Sequence, residues 1–149
     1  MTSVEYDVMG AGAVGAEVYY EVQQFYAHHM QVLDDARVDD WAATFTPDGV
    51  MASNAQPTVA GREALASKAR TAHAKLAEEG ITRRHWLGMV TVRETGVDRV
   101  AARCFSLVID IPKGGKAGLR LSAVCEDDLV RTSEGWQISR RMISHDDLD

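Results

Sequence analysis

Arg84-His85-Trp86-Leu87-Gly88-Met89-Val90-Thr91-Val92-Arg93 opens a change of character in the chain, and Val97 to Ile111, Leu119 to Thr132 and Trp136 to His145 continue it. Each run is rich in β-branched and aromatic residues, alternates apolar with polar positions and is bounded by turn residues, as half-buried strands are. The links Glu94-Thr95-Gly96, Pro112 to Gly118 and Ser133-Glu134-Gly135 are short or contain glycine, so the four strands are expected to pair as an antiparallel meander. Upstream of Gly80 the period is helical. From Ala16 to Leu33 the apolar residues Val18, Tyr19, Val22, Phe25, Tyr26, Met30 and Leu33 recur every three or four positions, which predicts an amphipathic helix. Gly61 to Glu79 is rich in Ala, Lys, Glu and Arg, with Leu65, Ala69, Ala72 and Leu76 on one stripe; it predicts a second long helix, capped by Gly80. Between them Asp39-Asp40 suits a short helix start, Pro47-Asp48-Gly49 a turn and Val50-Met51-Ala52 a brief strand. Helices come first and the sheet second. That segregation predicts an α+β architecture, with the helices covering the concave side of a curved, mostly antiparallel sheet.

At 149 residues the chain fits one hydrophobic core. Apolar residues make up 46% and charged residues 26%, which places it with ordinary globular proteins. No apolar run approaches the roughly 20 residues of a membrane span, and Met1 to Asp7 carries no signal-peptide pattern, so a cytoplasmic protein without a membrane partner is expected. A net charge of −6 argues against nucleic acid. Arg83-Arg84 and Arg140-Arg141 read as strand pairs, one residue exposed and one able to meet a carboxylate. Cys104 and Cys125 stand in strand-like runs without CxxC spacing and read as buried reduced thiols.

Gly10-Ala11-Gly12-Ala13-Val14-Gly15 has the letters of a dinucleotide fingerprint. That fingerprint needs a buried strand before it and alternating βαβ units after it. Here only Val8 and Met9 precede it and an antiparallel meander follows, so residues 1–15 read as a flexible lead-in to a domain spanning residues 16–149. Lys113-Gly114-Gly115-Lys116 reads as a hairpin tip. The five histidines, His28, His29, His73, His85 and His145, form no chelating pair at helical spacing. Neither a cofactor nor a metal is expected.

Three stretches remain: Leu33 to Trp41, with Asp34 at a helix end and Asp40-Trp41 after a spacer; Phe45-Thr46-Pro47-Asp48-Gly49-Val50; and Arg84-His85-Trp86-Leu87-Gly88. With the glycine-led helix at Gly61, over residues 16–145, they resemble the SnoaL-like domains of the nuclear-transport-factor-like superfamily. The pattern is also similar to scytalone dehydratase, to the small subunits of ring-hydroxylating dioxygenases and, more remotely, to limonene epoxide hydrolase and ketosteroid isomerase. The resemblance implies a cystatin-like cone. It places Asp34 and His85 on the aspartate and histidine that in scytalone dehydratase hold a catalytic water or proton. That enzyme's second pocket histidine falls near Asp110 and its tyrosine on Leu33, so scytalone is not the expected substrate.

A carboxylate bonded to one nitrogen of a histidine fixes the tautomer and strengthens the other nitrogen as a base, without any cofactor. Asp34 and His85 are therefore the candidate catalytic pair. Tyr26, Trp41, Phe45, Met51, Phe105 and Met142 are candidate walls of a substrate cavity and Asp110 a candidate polar contact, with Glu126 and His145 secondary. Aromatic and methionine linings suit a flat or polycyclic ligand. The resulting expectation is a cyclase, dehydratase or isomerase acting on an aromatic intermediate of polyketide-type, antibiotic-like biosynthesis. The alternative is a non-catalytic accessory subunit or small-ligand-binding protein. By resemblance, the chain is expected to form a homodimer through the sheet.

Overall fold

The computed structural model describes residues 12–148. Helix α1 (Ala16–Asp34) is followed by the short α2 (Val38–Ala42), strand β1 (Phe45–Ser53), the two-residue β2 (Val59–Ala60), helix α3 (Arg62–Glu79) and four long strands. These are β3 (Ile81–Gly96), β4 (Arg99–Pro112), β5 (Gly118–Thr132) and β6 (Gly135–His145). The six strands form one sheet in the order β2-β1-β6-β5-β4-β3. Every pairing is antiparallel except β1 with β6, which is parallel. The three helices lie on one face of the curled sheet, and the molecule is the α+β cone that the sequence predicts.

The helix boundaries follow from local chemistry. Gly80 takes a left-handed conformation (φ 67°) and returns its N–H to Ala77 and Leu76, a termination that glycine adopts without the steric cost of a Cβ. The Pro47-Asp48-Gly49 segment corrects the sequence reading. Instead of separating a helix from a brief strand, it lies inside β1 as a bulge: Phe45 pairs with Ile138, and regular pairing resumes at Val50 with Arg140. Proline cannot donate to a ladder, so it is tolerated where the ladder is interrupted. A Cβ on Gly49 would lie 2.8 Å from that of Phe45, so only glycine lets the bulge close over this ring.

A second bulge, between Gly88 and Thr91, changes which face the β3 side chains take. Arg83, His85 and Leu87 face inward before it; Val90 and Val92 are buried after it. Met89 occupies the extra position with φ 54° and is exposed. On the outer face the indole of Trp86 lies across Gly88, where any Cβ would collide with the ring. Trp86 and Phe105 are both exposed there, at 46% and 42%. Of the expected lead-in, Gly12 to Gly15 are described: Ala13 bridges to Arg93, and Glu94 donates its N–H to the Gly12 carbonyl at 2.6 Å. Val8 to Ala11, on which the dinucleotide reading turns, lie outside the described residues. Among the described residues no helix is long and apolar enough to cross a membrane.

The narrow end of the cone is filled by a polar cluster set in apolar packing. Asp127 on β5 and Arg141 on β6 are cross-strand partners joined by two hydrogen bonds, Nε to Oδ1 at 2.9 Å and Nη2 to Oδ2 at 2.8 Å. Tyr26 donates to Asp127 Oδ2 at 2.6 Å, and Arg141 Nη1 lies 2.9 Å from His29 Nε2. A guanidinium can only donate, so Nε2 accepts and the ring proton sits on Nδ1. Nδ1 in turn donates to Thr44 Oγ1 at 2.6 Å, whose hydroxyl donates to the Trp41 carbonyl. Trp41 and Phe45 pack on His29, and Phe45 also faces Arg141; Val22, Leu65, Leu129 and Ile138 belong to the same buried core. Arg83 and Arg141 are the inward members of their arginine pairs, Arg83 meeting Asp110 at 2.7 Å. Cys104 and Cys125 face each other across β4 and β5 as buried free thiols.

Burial, and then the charge of Arg141, hold the His29 imidazole well below its usual range, so the folded protein keeps it neutral. The unfolded ring titrates near pH 6.5. Below that pH the unfolded chain binds a proton that the folded chain refuses, so this stability is complete above about pH 6.5 and is lost on acidification, by up to ~1.4 kcal/mol per pH unit. Urea denaturation between pH 7.5 and 5 is expected to show a falling midpoint, and His29→Gln to remove this part of the slope.

Candidate functional site

Above the polar cluster the cone is not filled. A cavity of about 250 Å³ opens between α1, α2, α3, β1 and the inner faces of β3 to β6. Its apolar wall includes Met30, Leu33, Trp41, Met51, Leu87 and Val108, and His85 projects into it from β3.

Asp34 and His85 meet at one edge of this space. His85 Nδ1 lies 2.7 Å from Asp34 Oδ1, and the His85 backbone N–H donates to Asp34 Oδ2 at 3.0 Å. Both carboxylate oxygens are therefore engaged by one residue, which fixes the imidazole in position and direction. A carboxylate can only accept, so Nδ1 carries a proton, and in the neutral ring Nε2 is the nitrogen with the lone pair. Nε2 has no protein partner among the described residues. The Asp34 side chain is 8% exposed and that of His85 23%, so the imidazole is partly open while its carboxylate partner is nearly closed to water.

The location of Asp34 works against its own helix. It is the last residue of α1, whose final turn carries no basic residue, and a negative charge at a helix C-terminus opposes the backbone dipole. What offsets that cost is β3, an edge strand with backbone groups left open on one side. Helix α1 closes that side: Asp34 takes the N–H of His85, and the Tyr19 hydroxyl donates to the Val90 carbonyl at 2.7 Å.

The other expected wall residues divide into three groups. Trp41 and Met51 line the cavity. Tyr26 and Phe45 are core instead: Tyr26 is tied to Asp127, and Phe45 is fully buried, edge-on to Trp41 at 5.2 Å. Phe105 and Met142 need correction, because they face away from the cavity. The inward positions of β4 are Cys104, Ser106 and Val108, and those of β6 are Arg141 and Ile143, so the intervening residues point outward. Met142 sits instead in an outer groove with Arg103, Glu126 and Arg140. Asp110 takes an inward position but is committed to Arg83 through two hydrogen bonds, and Arg83 holds its carboxyl below the usual range. His145 lines the cavity and Glu126 does not.

Sequence reasoning did not single out Lys68 and His73 of α3, or Arg83 and Ser106, as cavity residues. The helical stripe that places Ala69, Ala72 and Leu76 toward the cavity also brings Lys68 and His73 to its rim, so the spacing carried that signal. Among the described residues no group of three His, Cys, Asp or Glu side chains is placed to hold a metal ion.

Residues 15–142 match the family model of the SnoaL-like domain. Among solved structures, Aln2 from a Streptomyces species is 30% identical with a TM-score of 0.83, covering 90% of this chain and 94% of that one. A protein from Catenulispora acidiphila in complex with S-DNPA is also 30% identical, with a TM-score of 0.78 and coverage of 89% and 96%. An NTF2-like protein with a cystatin-like fold from Novosphingobium aromaticivorans is 27% identical, with a TM-score of 0.77 and coverage of 88% and 83%.

The geometry makes a spectroscopic prediction independent of any substrate. In ¹⁵N NMR of the histidines near pH 8, His85 is expected as the Nδ1–H tautomer with an unprotonated Nε2, and Asp34→Ala is expected to return it to the mixture, mainly Nε2–H, of a free imidazole.

Proposed function

The chain belongs to the SnoaL-like domain family, and on that premise we propose that it is a cofactor-independent acid/base enzyme, a cyclase, dehydratase or isomerase. Its substrate class is an aromatic or polycyclic ketone, as in polyketide-type natural product biosynthesis. The observation that carries this reading is the 2.7 Å contact of His85 Nδ1 with Asp34 Oδ1 at the wall of an apolar cavity. The complex of a 30% identical relative with S-DNPA supports a ligand-holding role for the fold.

In this mechanism the Nε2 lone pair of His85 takes a proton from carbon next to a substrate carbonyl. The C–H electron pair moves into the carbonyl to give an enolate, and the resulting imidazolium is stabilised by Asp34. The proton can return at another carbon, which is isomerisation, or leave with a β-hydroxyl as water, which is dehydration. Alternatively the enolate carbon attacks a second carbonyl of the same molecule and closes a ring, the π pair of that carbonyl moving to its oxygen, which takes the proton back from the imidazolium. The apolar wall excludes water and strengthens each charge interaction. Binding without turnover uses the same cavity and differs only in what His85 does.

The shared proton-abstraction step can be assayed with 1-tetralone, a bicyclic aryl ketone, in D₂O. Wild-type protein is expected to accelerate deuteration at the carbon beside the carbonyl, and His85→Gln to lower that rate by about 10² or more at a temperature where its melting curve shows it folded. Exchange at the buffer rate with wild-type protein would point to a binding or accessory role.

Assembly as a homodimer through the outer sheet face is part of the same proposal. Trp86 and Phe105 are exposed together there, and apolar residues gathered on one face favour a protein partner. Sedimentation velocity at micromolar concentration is expected to give a dimer, reduced to monomer by Phe105→Glu.

A further inference from the structure

Ser106 takes an inward position on β4, is 8% exposed, and lines the cavity together with Leu87 and Val108. Serine carries a single oxygen beyond Cβ, so an inward position on a strand delivers that oxygen to the interior. Among the described residues the hydroxyl meets the thiol of Cys125, a weak acceptor, and no stronger one. The indole Nε1–H of Trp41 is also unpaired, but it is closed off from open space and is no donor to a ligand.

The sheet register relates Ser106 to His85. In the pairing of β3 with β4, His85 stands opposite Val108 and Leu87 opposite Ser106, so His85 and Ser106 are diagonal neighbours on the inner face, with Cα atoms about 7 to 8 Å apart. The imidazole is aimed across that interval. The His85 backbone N–H goes to Asp34, which places the carboxylate at the open edge of β3, on the side away from β4, and the same carboxylate holds Nδ1. The two nitrogens of an imidazole point in nearly opposite directions, so Nε2 is turned from that edge toward β4, where Ser106 stands. A ketone whose α-carbon lies at Nε2 carries its oxygen two bonds away. With about 3 Å for the contact at either end, that span fits a base and a donor placed as diagonal neighbours.

We propose that the Ser106 hydroxyl is a substrate-binding donor, giving its hydrogen bond to the carbonyl oxygen of the ketone whose α-proton His85 removes. This rests on the acid/base reading of the same cavity and deepens it: Ser106 selects a ketone over an apolar ring of the same shape and turns the carbon beside the carbonyl toward Nε2. Ligand binding exchanges the weak thiol acceptor of Cys125 for a strong one. Ser106 keeps its proton throughout. Its hydrogen bond strengthens as the oxygen gains charge in the enolate and relaxes when the ketone re-forms.

The test is isotope-edited infrared spectroscopy of 1-tetralone carrying ¹³C at its carbonyl carbon and bound to the protein. A hydrogen bond lowers the carbonyl stretching frequency, so the bound ketone is expected at lower frequency in wild type than in Ser106→Ala. Ser106→Ala is also expected to reduce the preference for 1-tetralone over tetralin, its counterpart without the oxygen, by about tenfold; any change in packing common to the two ligands cancels in that ratio. If Ser106→Ala does not fold, Ser106→Cys, a weaker donor of similar size, takes its place. The same carbonyl frequency in wild type and variant, an unchanged preference between the two ligands, or no binding of 1-tetralone to wild type would overturn the inference. The low frequency is expected to persist in His85→Gln protein. Its persistence there, with no deuteration by wild type, would sink the acid/base reading while leaving Ser106 as the ligand's donor. Normal deuteration with a carbonyl frequency that Ser106→Ala does not move would sink the Ser106 assignment alone.

Discussion

The carboxylate of Asp127 is the point on which the cone depends. It is fully buried and gathers three separate elements: it takes two hydrogen bonds from Arg141 on the neighbouring strand and one from Tyr26 on α1. Removing one partner of such a buried ionic pair generally costs about 3–5 kcal/mol, because the other charge is left without compensation in a low dielectric. The pair is therefore less a source of net stability than a constraint on register. Asp127 must stand opposite Arg141, and α1 must cross the sheet where Tyr26 and His29 can reach them. Once those positions are fixed, the end of α1 falls beside β3.

That crossing divides the interior. Below it, His29, Phe45 and Trp41 pack ring against ring, with centroids 5.2 to 6.0 Å apart. Above it, the inner strand residues include the smaller Ser106, Cys125 and Val108, and the cavity opens there. Arg141 belongs to both halves, lining the cavity while its charge is neutralised from below. The floor of the cavity is thus the top of a hydrogen-bonded, buried part of the core.

Asp34 and His85 show how two local disadvantages can offset each other. A carboxylate at a helix C-terminus is unfavourable, and an uncovered edge strand invites association. Each resolves the other, since the helix end closes the strand edge and the strand supplies two donors to the carboxylate. The hydrogen bond that orients the imidazole is consequently part of the contact that holds α1 against the sheet.

Much of the fold is legible from residue order because it depends on local periodicity. The helical spacing in Ala16–Asp34 and Arg62–Glu79, the alternation after Gly80 and the glycine at the helix end each act over a few residues, and together they specify helices on a meander. Asp34 and His85 could be nominated as a pair through family likeness, but their hydrogen bond could not be read from positions 51 residues apart. Strand phase was the principal ambiguity. Alternation says that Cys104 and Phe105, or Arg141 and Met142, face opposite ways, without saying which enters the cone. Only the packing of β5 and β6 around Asp127 chose, sending Phe105 and Met142 outward. The parallel pairing of β1 with β6, the bulge that absorbs Pro47, the commitment of His29 to Arg141 and the unpaired N–H of Trp41 are likewise tertiary. Each depends on which distant group lies opposite, a relation set by burying the whole core at once and carried by no local pattern.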